Sequence, residues 1–372
     1  MKTKMLRDEY WMARVLRLAE KGRGTTSPNP MVGAIFVRDD KIIAKGFHKK
    51  AGNPHAEIVA INNAKESLKG STLYINLEPC THFGKTPPCA PEIVKTGISR
   101  AVISMVDPNP LISGKGIKYL QDHNIPVTVG ILEEEAKRLN EAFIKFITQK
   151  IPFVTLKVAT SLDGKIATYK KESKWITSEA SRLLVHRLRW EVDAVVVGVN
   201  TVIADDPELN VRIRGREENN PIRIILDSSL RIPLGSKIVK NAKDKKSWVA
   251  TRLPPNDKKV KRLKDLGVKV ICLPSKEDKI DLLALMKELT KYDIVHLMIE
   301  GGGKVNAAAL EAGIVDKVLF FIAPIIIGGE NAITAVRGKG VSSVEDAFKL
   351  KDVKMRRIGR DFLIEGYIKK EP

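Results

Sequence analysis

Three residues in the first half of the chain have the types and the order of the ligands in a catalytic zinc site. His55 stands at the start of a helical pattern, Cys80 follows a strand pattern, and Cys89 opens the next helical pattern. One imidazole and two thiolates leave the fourth position of a tetrahedral zinc ion open for water, which is the catalytic rather than the structural arrangement. Helix N-termini lower the pKa of a thiol and help to supply the thiolates that the metal needs. These residues therefore predict a catalytic Zn2+ site.

Glu57 is predicted to move protons in this site. It lies two residues after His55 and is not itself a ligand. Zinc acidifies a bound water, and a neighbouring carboxylate can shuttle its proton. The predicted chemistry is attack of hydroxide on an amino-substituted ring carbon, followed by loss of ammonia. The alternative is that His55 merely caps a helix and that Cys80 and Cys89 are buried thiols, but all the required residues stand in register.

The His-x-Glu and Pro-Cys pattern resembles the cytidine deaminase superfamily. That signature has two residues between the cysteines, whereas eight residues separate them here, ending in Thr86-Pro87-Pro88. This insertion is similar to the deaminase half of the bifunctional riboflavin-biosynthesis deaminase/reductase family, and so are the segments 27–33 and 107–110. The resemblance implies a cytidine-deaminase-like domain, a sheet with helices on both faces.

The same resemblance implies which other residues surround the zinc site. It places Asn29 and Glu57 against the pyrimidine, and His48 and His82 near the pocket. Either histidine, taken alone, is more often a surface or hydrogen-bonded residue than a catalyst. Their roles stay open, and both rank below the zinc ligands.

A glycine-rich turn is the strongest feature of the second half. A strand pattern ends at Glu300 in three glycines, 301–303, and a helical pattern follows. Glycines at a strand-to-helix turn expose backbone N–H groups and a helix N-terminus, which together bind phosphate. The turn matches neither G-x-G-x-x-G nor a Walker A motif. A turn whose glycines only permit close packing is the alternative.

Several segments of the second half are similar to the reductase half of the same family, which has a dihydrofolate-reductase-like fold. They are residues 157–167, 175–178, 198–202 and 204–207. The resemblance implies NADPH as a cofactor, bound by Ala159, Trp175, Thr201, Asp205 and Ser228, with Gly302, Gly303, Lys304, Val305, Asn306, Ala307 and Ala308 around its phosphates.

The resemblance also implies the residues that hold the substrate of the reductase half, namely Ser173, Arg189, Leu209, Arg212 and Glu300. Arginines suit a phosphoribosyl group because their planar fork matches a phosphate. Arg189 alone would be interpreted as a solvated helix residue, and the role of Lys157 stays open.

The elements that must position these residues form two βα alternations, which indicate an α/β fold. Apolar residues recur at helical spacing before Pro152, and a strand-like alternation begins at Phe153. The periodicity therefore changes across a proline. We place a zinc-dependent deaminase domain at residues 1–149 and an NADPH-dependent reductase domain at residues 150–372.

Length and charge agree with this division. The 372 residues suffice for two domains, and 64 Lys and Arg against 44 Asp and Glu give a net charge of +20. Basic residues are spread over both halves, so they do not form a nucleic-acid-binding tail. Phosphorylated small molecules are the favoured partners, although they do not require an excess this large.

Cysteine content and hydropathy indicate the cellular setting. Three cysteines are too few for a disulfide framework, which favours a reducing, cytoplasmic compartment. The first twenty residues lack the apolar core of a signal peptide, and no apolar run is long enough to span a bilayer. We expect no membrane partner, no nucleic-acid partner, and a homo-oligomer.

The sequence thus predicts a bifunctional enzyme of riboflavin biosynthesis. As the resemblance implies, one domain deaminates 2,5-diamino-6-ribosylamino-4(3H)-pyrimidinone 5′-phosphate, and the other reduces the ribosyl side chain to ribityl with NADPH. One alternative is a nucleic-acid-editing zinc deaminase with an accessory domain. A degenerate scaffold with a structural zinc is the other.

Overall fold

The computed structural model describes residues 2–83, 87–110, 112–216, 219–276 and 279–369. The chain separates into two compact units, Met1–Lys150 and Ile151–Pro372. Part of the insertion between the two cysteines, residues 84–86, lies outside the described residues.

Unit 1 (Met1–Lys150) is a five-stranded sheet of order β2-β1-β3-β4-β5, in which β1 is antiparallel to its neighbours and β3, β4 and β5 are parallel. Its strands are β1 (Gly33–Arg38), β2 (Lys41–Phe47), β3 (Thr72–Leu77), β4 (Arg100–Met105) and β5 (Val127–Val129). Its helices are α1 (Lys2–Ala19), α2 (Ala56–Asn62), α3 (Cys89–Lys95), α4 (Lys115–Asp122), α5 (Glu133–Leu139) and α6 (Glu141–Gln149), with a short 3-10 helix at Glu20–Gly22.

Helices cover both faces of this sheet because the side chains of each strand alternate between them. Ala34 and Phe36 of β1 pack in the cluster that contains residues of α2, α3 and α4. Their neighbour Ile35 packs on the other face with Met12 and Val15 of α1. The predicted sheet with helices on both faces is confirmed.

Unit 2 (Ile151–Pro372) is built on a nine-stranded sheet of order β11-β10-β9-β8-β14-β6-β15-β18-β17, parallel from β11 to β15 and antiparallel from there to β17. The strands of unit 2 are β6 (Phe153–Ser161), β7 (Lys165–Ala167), β8 (Ala194–Gly198), β9 (Ile222–Leu226), β10 (Ser247–Thr251), β11 (Lys269–Cys272), β12 (Ser275–Lys276), β13 (Lys279–Ile280), β14 (His296–Ile299), β15 (Lys317–Ala323), β16 (Ile333–Thr334), β17 (Leu350–Ile358) and β18 (Asp361–Ile368). The helices are α7 (Glu179–Glu191), α8 (Val199–Asp205), α9 (Lys237–Lys240), α10 (Ala242–Lys245), α11 (Lys258–Asp265), α12 (Leu282–Thr290) and α13 (Gly303–Glu311).

The central strands of unit 2 are buried on both faces, as parallel strands covered by helices must be. The five residues of β8 are all buried, and so is most of β6. Parallel order also gathers the carboxyl ends of β6, β8, β9 and β14 at one edge of the sheet, where ligands of open α/β sheets bind. None of the helices in the described ranges is long and apolar enough to cross a membrane.

Candidate active sites

The three predicted zinc ligands meet at one point of unit 1. His55 precedes the first residue of α2, Cys80 follows β3, and Cys89 begins α3. His55 Nδ1 lies 3.2 Å from Cys89 Sγ and 3.6 Å from Cys80 Sγ, and all three candidate ligand atoms lie within 4.8 Å of one another. Zinc bonds of about 2.1 Å to nitrogen and 2.3 Å to sulfur need such separations around a tetrahedral ion. The cluster therefore fits Zn2+.

Backbone hydrogen bonds place the two sulfurs despite the eight residues between them. The N–H groups of Cys89 and Ala90 both donate to the carbonyl of Cys80, each at 3.1 Å. The turn after β3 is thus tied to the first turn of α3. A hydrogen bond from the Cys89 thiol lowers the pKa of Cys80 to about 4, and the same bond together with burial raises the pKa of Cys89. The hydrogen bond from Cys89 thus favours the thiolate form of Cys80.

Glu57 lies in the first turn of α2, buried beside the cluster. Burial raises the pKa of its carboxyl to about 7, and His55, Cys80 and Cys89 are the groups that act on it. A group that titrates near neutrality can both accept and donate a proton at physiological pH.

Asn29 and His48 adjoin the cluster as a hydrogen-bonded pair. Asn29 Nδ2 lies 3.1 Å from His48 Nε2, and His48 Nδ1 lies 3.2 Å from the carbonyl oxygen of Pro54. A carbonyl can only accept, so Nδ1 carries the proton and Nε2 accepts from Asn29. Burial lowers the pKa of His48, which keeps the ring neutral. His48 is a buried, hydrogen-bonded residue, whereas His82 is exposed, so each matches one of the two alternatives to a catalyst.

Two buried carboxyl groups beside the cysteines received no role from the sequence. Asp107 is buried, burial raises the pKa of its carboxyl to about 6, and Glu78, Cys80 and His82 are near enough to influence it. Glu78 accepts four backbone hydrogen bonds. Glu78 directly precedes the Pro-Cys pair of the zinc pattern, and Asp107 begins the 107–110 segment that carried the resemblance. An acidic residue at the end of a buried strand was the available signal.

In unit 2, Glu300 follows β14 and binds the predicted site residue Arg189 and also Lys157, whose role the sequence left open. Arg189 Nε and Nη2 donate to its two carboxylate oxygens at 2.6 and 3.0 Å, and Lys157 Nζ donates at 3.4 Å. Burial opposes ionisation, yet the charges of Arg189 and Lys157 lower the pKa of Glu300 to about 2. Arg189 also donates to Asn210 O, beside Leu209. The interpretation of Arg189 as a solvated helix residue is wrong, because its side chain is largely buried in an ion pair with Glu300.

The glycine turn brings the N-termini of two helices together. A Cβ on Gly302 would lie 3.8 Å from Thr201 Oγ1 in α8, and one on Gly198 would lie 2.8 Å from Val305 Cγ2. Val305 N and Asn306 N already donate to Gly302 O within α13. The backbone donors best placed for a phosphate are therefore those of residues 302–304, at the start of the helix.

The remaining predicted residues of unit 2 lie as follows. Ser173 Oγ donates to Asp205 Oδ1 at 3.4 Å, and Arg212 Nε donates to Asn210 Oδ1 at 3.2 Å. Ala159 pairs with Phe321 in the sheet, exposed Trp175 stacks under Arg182, and Ser228 O accepts from Thr251 Oγ1. Lys304 is exposed, Asn306 and Ala307 are buried, and Ala308 packs against the core.

Two family models match the chain, one in each unit. Residues 5–105 match the "Cytidine and deoxycytidylate deaminase zinc-binding region", and residues 152–364 match the "RibD C-terminal domain". The riboflavin biosynthesis protein RibD of Aquifex aeolicus is 46% identical over 96% of this chain and 97% of its own length. The chain belongs to the RibD family.

Further relatives extend the similarity over the whole chain. RibD of Escherichia coli is 38% identical over 96% of this chain and 98% of its own. A structure of Acinetobacter baumannii RibD matches with a TM-score of 0.88 at 37% identity, over 98% of this chain and all of that one. A Thermotoga maritima structure described as a diaminohydroxyphosphoribosylaminopyrimidine deaminase/5-amino-6-(5-phosphoribosylamino)uracil reductase matches with a TM-score of 0.85 at 37% identity, over 98% and 99% of the two chains.

These matches confirm the predicted RibD-type enzyme. A zinc-dependent deaminase of cytidine-deaminase-like fold and an NADPH-dependent reductase of dihydrofolate-reductase-like fold share one chain. The alternative of a nucleic-acid-editing deaminase is not favoured, because relatives that match over nearly the full length are riboflavin biosynthesis proteins.

Proposed function

We propose that the two units catalyse consecutive reactions. Residues 1–149 hydrolytically remove the 2-amino group of 2,5-diamino-6-ribosylamino-4(3H)-pyrimidinone 5′-phosphate, and residues 150–372 reduce the ribosyl side chain of the product to ribityl with NADPH. The observation that carries this proposal is the cluster of His55, Cys80 and Cys89 with Glu57 buried beside it, in one chain with a reductase unit. The activities named for the Thermotoga structure support the choice of substrates.

In the deaminase unit, His55, Cys80 and Cys89 would hold the metal. When bound, zinc would lower the pKa of a water and so supply hydroxide, the attacking nucleophile, at neutral pH. Glu57 accepts a proton from the attacking water and returns it to the departing amino nitrogen, which its pKa of about 7 permits in both directions. Asn29, held by neutral His48, orients the pyrimidine.

In the reductase unit, the N–H groups of residues 302–304 would hold a phosphate of NADPH, and Val305, Asn306, Ala307 and Ala308 support that turn. NADPH supplies the hydride. Further contacts to the cofactor come from Ala159, Trp175, Thr201, Asp205 and Ser228.

The substrate of the reductase unit would be held by Ser173, Arg189, Leu209, Arg212 and Glu300. Glu300 is bound on both carboxylate oxygens, so it also fixes the direction of Arg189. Arg212 is exposed near the same Asn210 and is the better placed of the two arginines to meet a phosphate from solvent.

Two separate assays test the proposal. The purified protein should release ammonia from the diaminopyrimidine phosphate without NADPH, and it should oxidise NADPH when given the deaminated uracil compound. Absence of either reaction in folded, zinc-loaded protein would contradict the corresponding half of the assignment.

We also propose that the protein is a homo-oligomer. The last strand of the large sheet, β17, is exposed along most of its length, including Val353 at 54% and Met355 at 69%. Exposed apolar edge strands are usually covered in the functional assembly. Light scattering coupled to size exclusion should report a dimer or a larger species, and a monomer at micromolar concentration would contradict this.

We further propose a cytoplasmic location and no nucleic-acid partner. Cys80, Cys89 and Cys272 are free thiols, which suits a reducing compartment. The basic surface can attract the phosphorylated substrate and cofactor, so it does not require RNA as a partner. Tight, salt-sensitive binding of single-stranded RNA in a titration would overturn the second of these proposals.

A further inference from the structure

The carboxylate of Glu78 is buried two residues before the predicted zinc ligand Cys80. Its side chain belongs to a residue that is only 3% exposed. Oε2 accepts from Asp107 N at 3.1 Å and from Gly114 N at 2.9 Å. Oε1 accepts from Gly116 N at 2.8 Å and from Ile117 N at 3.2 Å. All four donors are backbone N–H groups, and none of them belongs to β3, the strand that Glu78 follows.

Two of these donors belong to the first turn of α4. Helix N-termini leave N–H groups without intrahelical partners, and a carboxylate there satisfies them and meets the positive end of the helix dipole. The N-terminal boundary residue of α4 is Gly114, which makes no side-chain cap. Glu78 therefore caps α4 from a distant part of the chain.

The N-terminus of α4 is in close contact with the backbone next to Cys80. A Cβ on Gly116 would overlap the carbonyl oxygen of Pro79 and would lie 3.1 Å from Glu78 Cγ. On its other side, the Cys80 carbonyl accepts from Cys89 N and Ala90 N. The turn that carries the Cys80 sulfur is thus held between α4 and α3, and Glu78 provides the α4 attachment.

We propose that Glu78 is a positioning residue for the metal site, which fixes Cys80 Sγ relative to His55 and Cys89 and holds Asp107 and the start of α4 beside them. This rests on the proposed zinc-binding role of the three residues. The role requires a carboxylate rather than any polar group of that size. A glutamine amide would have to turn its NH2 group toward one of the two pairs of backbone N–H groups. Because both sides are then donors, two hydrogen bonds are lost and the NH2 group repels both N–H groups.

A comparison of two variants separates positioning from general stability. Glu78→Gln removes the acceptor charge beside the cluster. Asp8→Asn is the matched control, because Asp8 is also 3% exposed in unit 1 and accepts hydrogen bonds from Tyr74 and Arg100 instead. Both variants should lower the unfolding temperature of unit 1, but only one should change the metal site.

The measurement is zinc affinity of the full-length protein by competition with a chromophoric chelator. We expect Glu78→Gln to bind zinc about 10-fold to 100-fold more weakly than wild type, the usual effect of losing a group that orients a metal ligand. Asp8→Asn should keep the wild-type affinity. Equal affinities for Glu78→Gln and Asp8→Asn would overturn the proposal and leave Glu78 with a stabilising role only.

Two further results keep the test decisive. If circular dichroism shows that Glu78→Gln does not fold, Glu78→Asp, which keeps the charge on a shorter side chain, is judged by the same comparison with Asp8→Asn. If wild type itself binds no zinc, the proposed zinc-binding function of the cluster fails. If wild type binds zinc but Glu78→Gln binds it equally tightly, only the positioning role of Glu78 fails.

Discussion

Glu57 combines the two properties that proton transfer between water and a leaving amino group requires. It is adjacent to the metal ligands, and its pKa of about 7 lies close to physiological pH because it is buried. Neither the imidazole of His55 nor the two thiols can serve, since all three are needed for the metal. We therefore expect Glu57 to be the residue that carries the proton in the deaminase unit.

Replacing Glu57 by Gln should separate metal binding from chemistry. We expect Glu57→Gln to retain zinc, because the three ligands are untouched, and to release ammonia about 10²-fold to 10⁴-fold more slowly, the usual contribution of a general acid and base. NADPH oxidation with the uracil compound should be unchanged and serves as the internal control. Ammonia release at the wild-type rate would contradict the assignment.

Glu300 is the corresponding buried carboxylate of unit 2, and its effect on stability depends on pH. Its folded pKa of about 2 lies below the ordinary value of 4.5 because Arg189 and Lys157 bind the ionised form. The stabilisation is therefore fully present above pH 4.5 and is lost as the pH falls from there toward 2, and it amounts to roughly 3 kcal/mol.

Glu300→Gln should accordingly be less stable than wild type at pH 7, and the difference should shrink below pH 4.5 as wild-type Glu300 becomes neutral. Urea unfolding of unit 2 at several pH values measures this. Glu288→Gln is the control, because its partner Lys291 is exposed and solvent screens the pair. A stability difference that does not change with pH would refute the coupling.

Residues with restricted chemistry could be found from the sequence. Few structural roles need a histidine, a glutamate and two cysteines in that order, so His55, Glu57, Cys80 and Cys89 were predictable. Glu78 was not, because its role depends on four N–H groups that lie 29 to 39 positions further along the chain. Glutamate side chains are usually solvated, and only the fold shows that this one is not.

At the scale of elements, the packing of α2 against β2 places His55 and Glu57. Gly46 in β2 faces the helix backbone, and a Cβ there would overlap the main chain of Ala56 and Ala60. The strand can approach this closely only because residue 46 has no side chain. The position of α2, and with it that of His55 and Glu57, therefore depends on Gly46.

Gly46→Ala should displace α2 and with it the deaminase site. We expect unit 1 to lose about 1–3 kcal/mol of unfolding free energy, the usual cost of overpacking, together with weaker zinc binding. Gly235→Ala is the control, because no atom lies within 4 Å of the added Cβ. Thermal unfolding and chelator competition measure both effects, and wild-type behaviour of Gly46→Ala would show that the contact is dispensable.

Buried strands were easier to predict from sequence than exposed ones. The strands β3, β4 and β8 are nearly all buried, and burial gives them the apolar runs by which they can be found in the sequence. In contrast, β17 is nearly all exposed, and only Val353 and Met355 alternate with polar residues, a run too short to predict a strand. Its pairing with β18 fixes it as a strand, which is a long-range property that a local pattern does not contain.

At the scale of the whole molecule, the chain has two units, each with its own core and its own candidate site. The sequence predicted both activities because two independent sets of motifs agreed. It did not explain why the excess of positive charge is so large. Exposed β17 carries part of it, in Lys351, Lys354, Arg356 and Arg357.

Loss of the zinc site should leave the reductase reaction intact. Cys80→Ser should lose zinc and ammonia release, because serine is a poor zinc ligand, while NADPH oxidation with the uracil compound continues at the wild-type rate. Cys272→Ser, which changes a thiol in the other unit, should retain both activities. If Cys80→Ser loses both while remaining folded, the two sites are not independent.

The most direct test of the two-step account follows ammonia and NADPH in the same tube, starting from the diaminopyrimidine phosphate, with and without a zinc chelator. Without chelator, ammonia should appear first and NADPH oxidation should follow. After zinc removal, verified by metal analysis, both should stop, and the uracil compound should restore NADPH oxidation alone. Continued ammonia release from zinc-free protein, or NADPH oxidation from the diaminopyrimidine phosphate without ammonia release, would contradict the account.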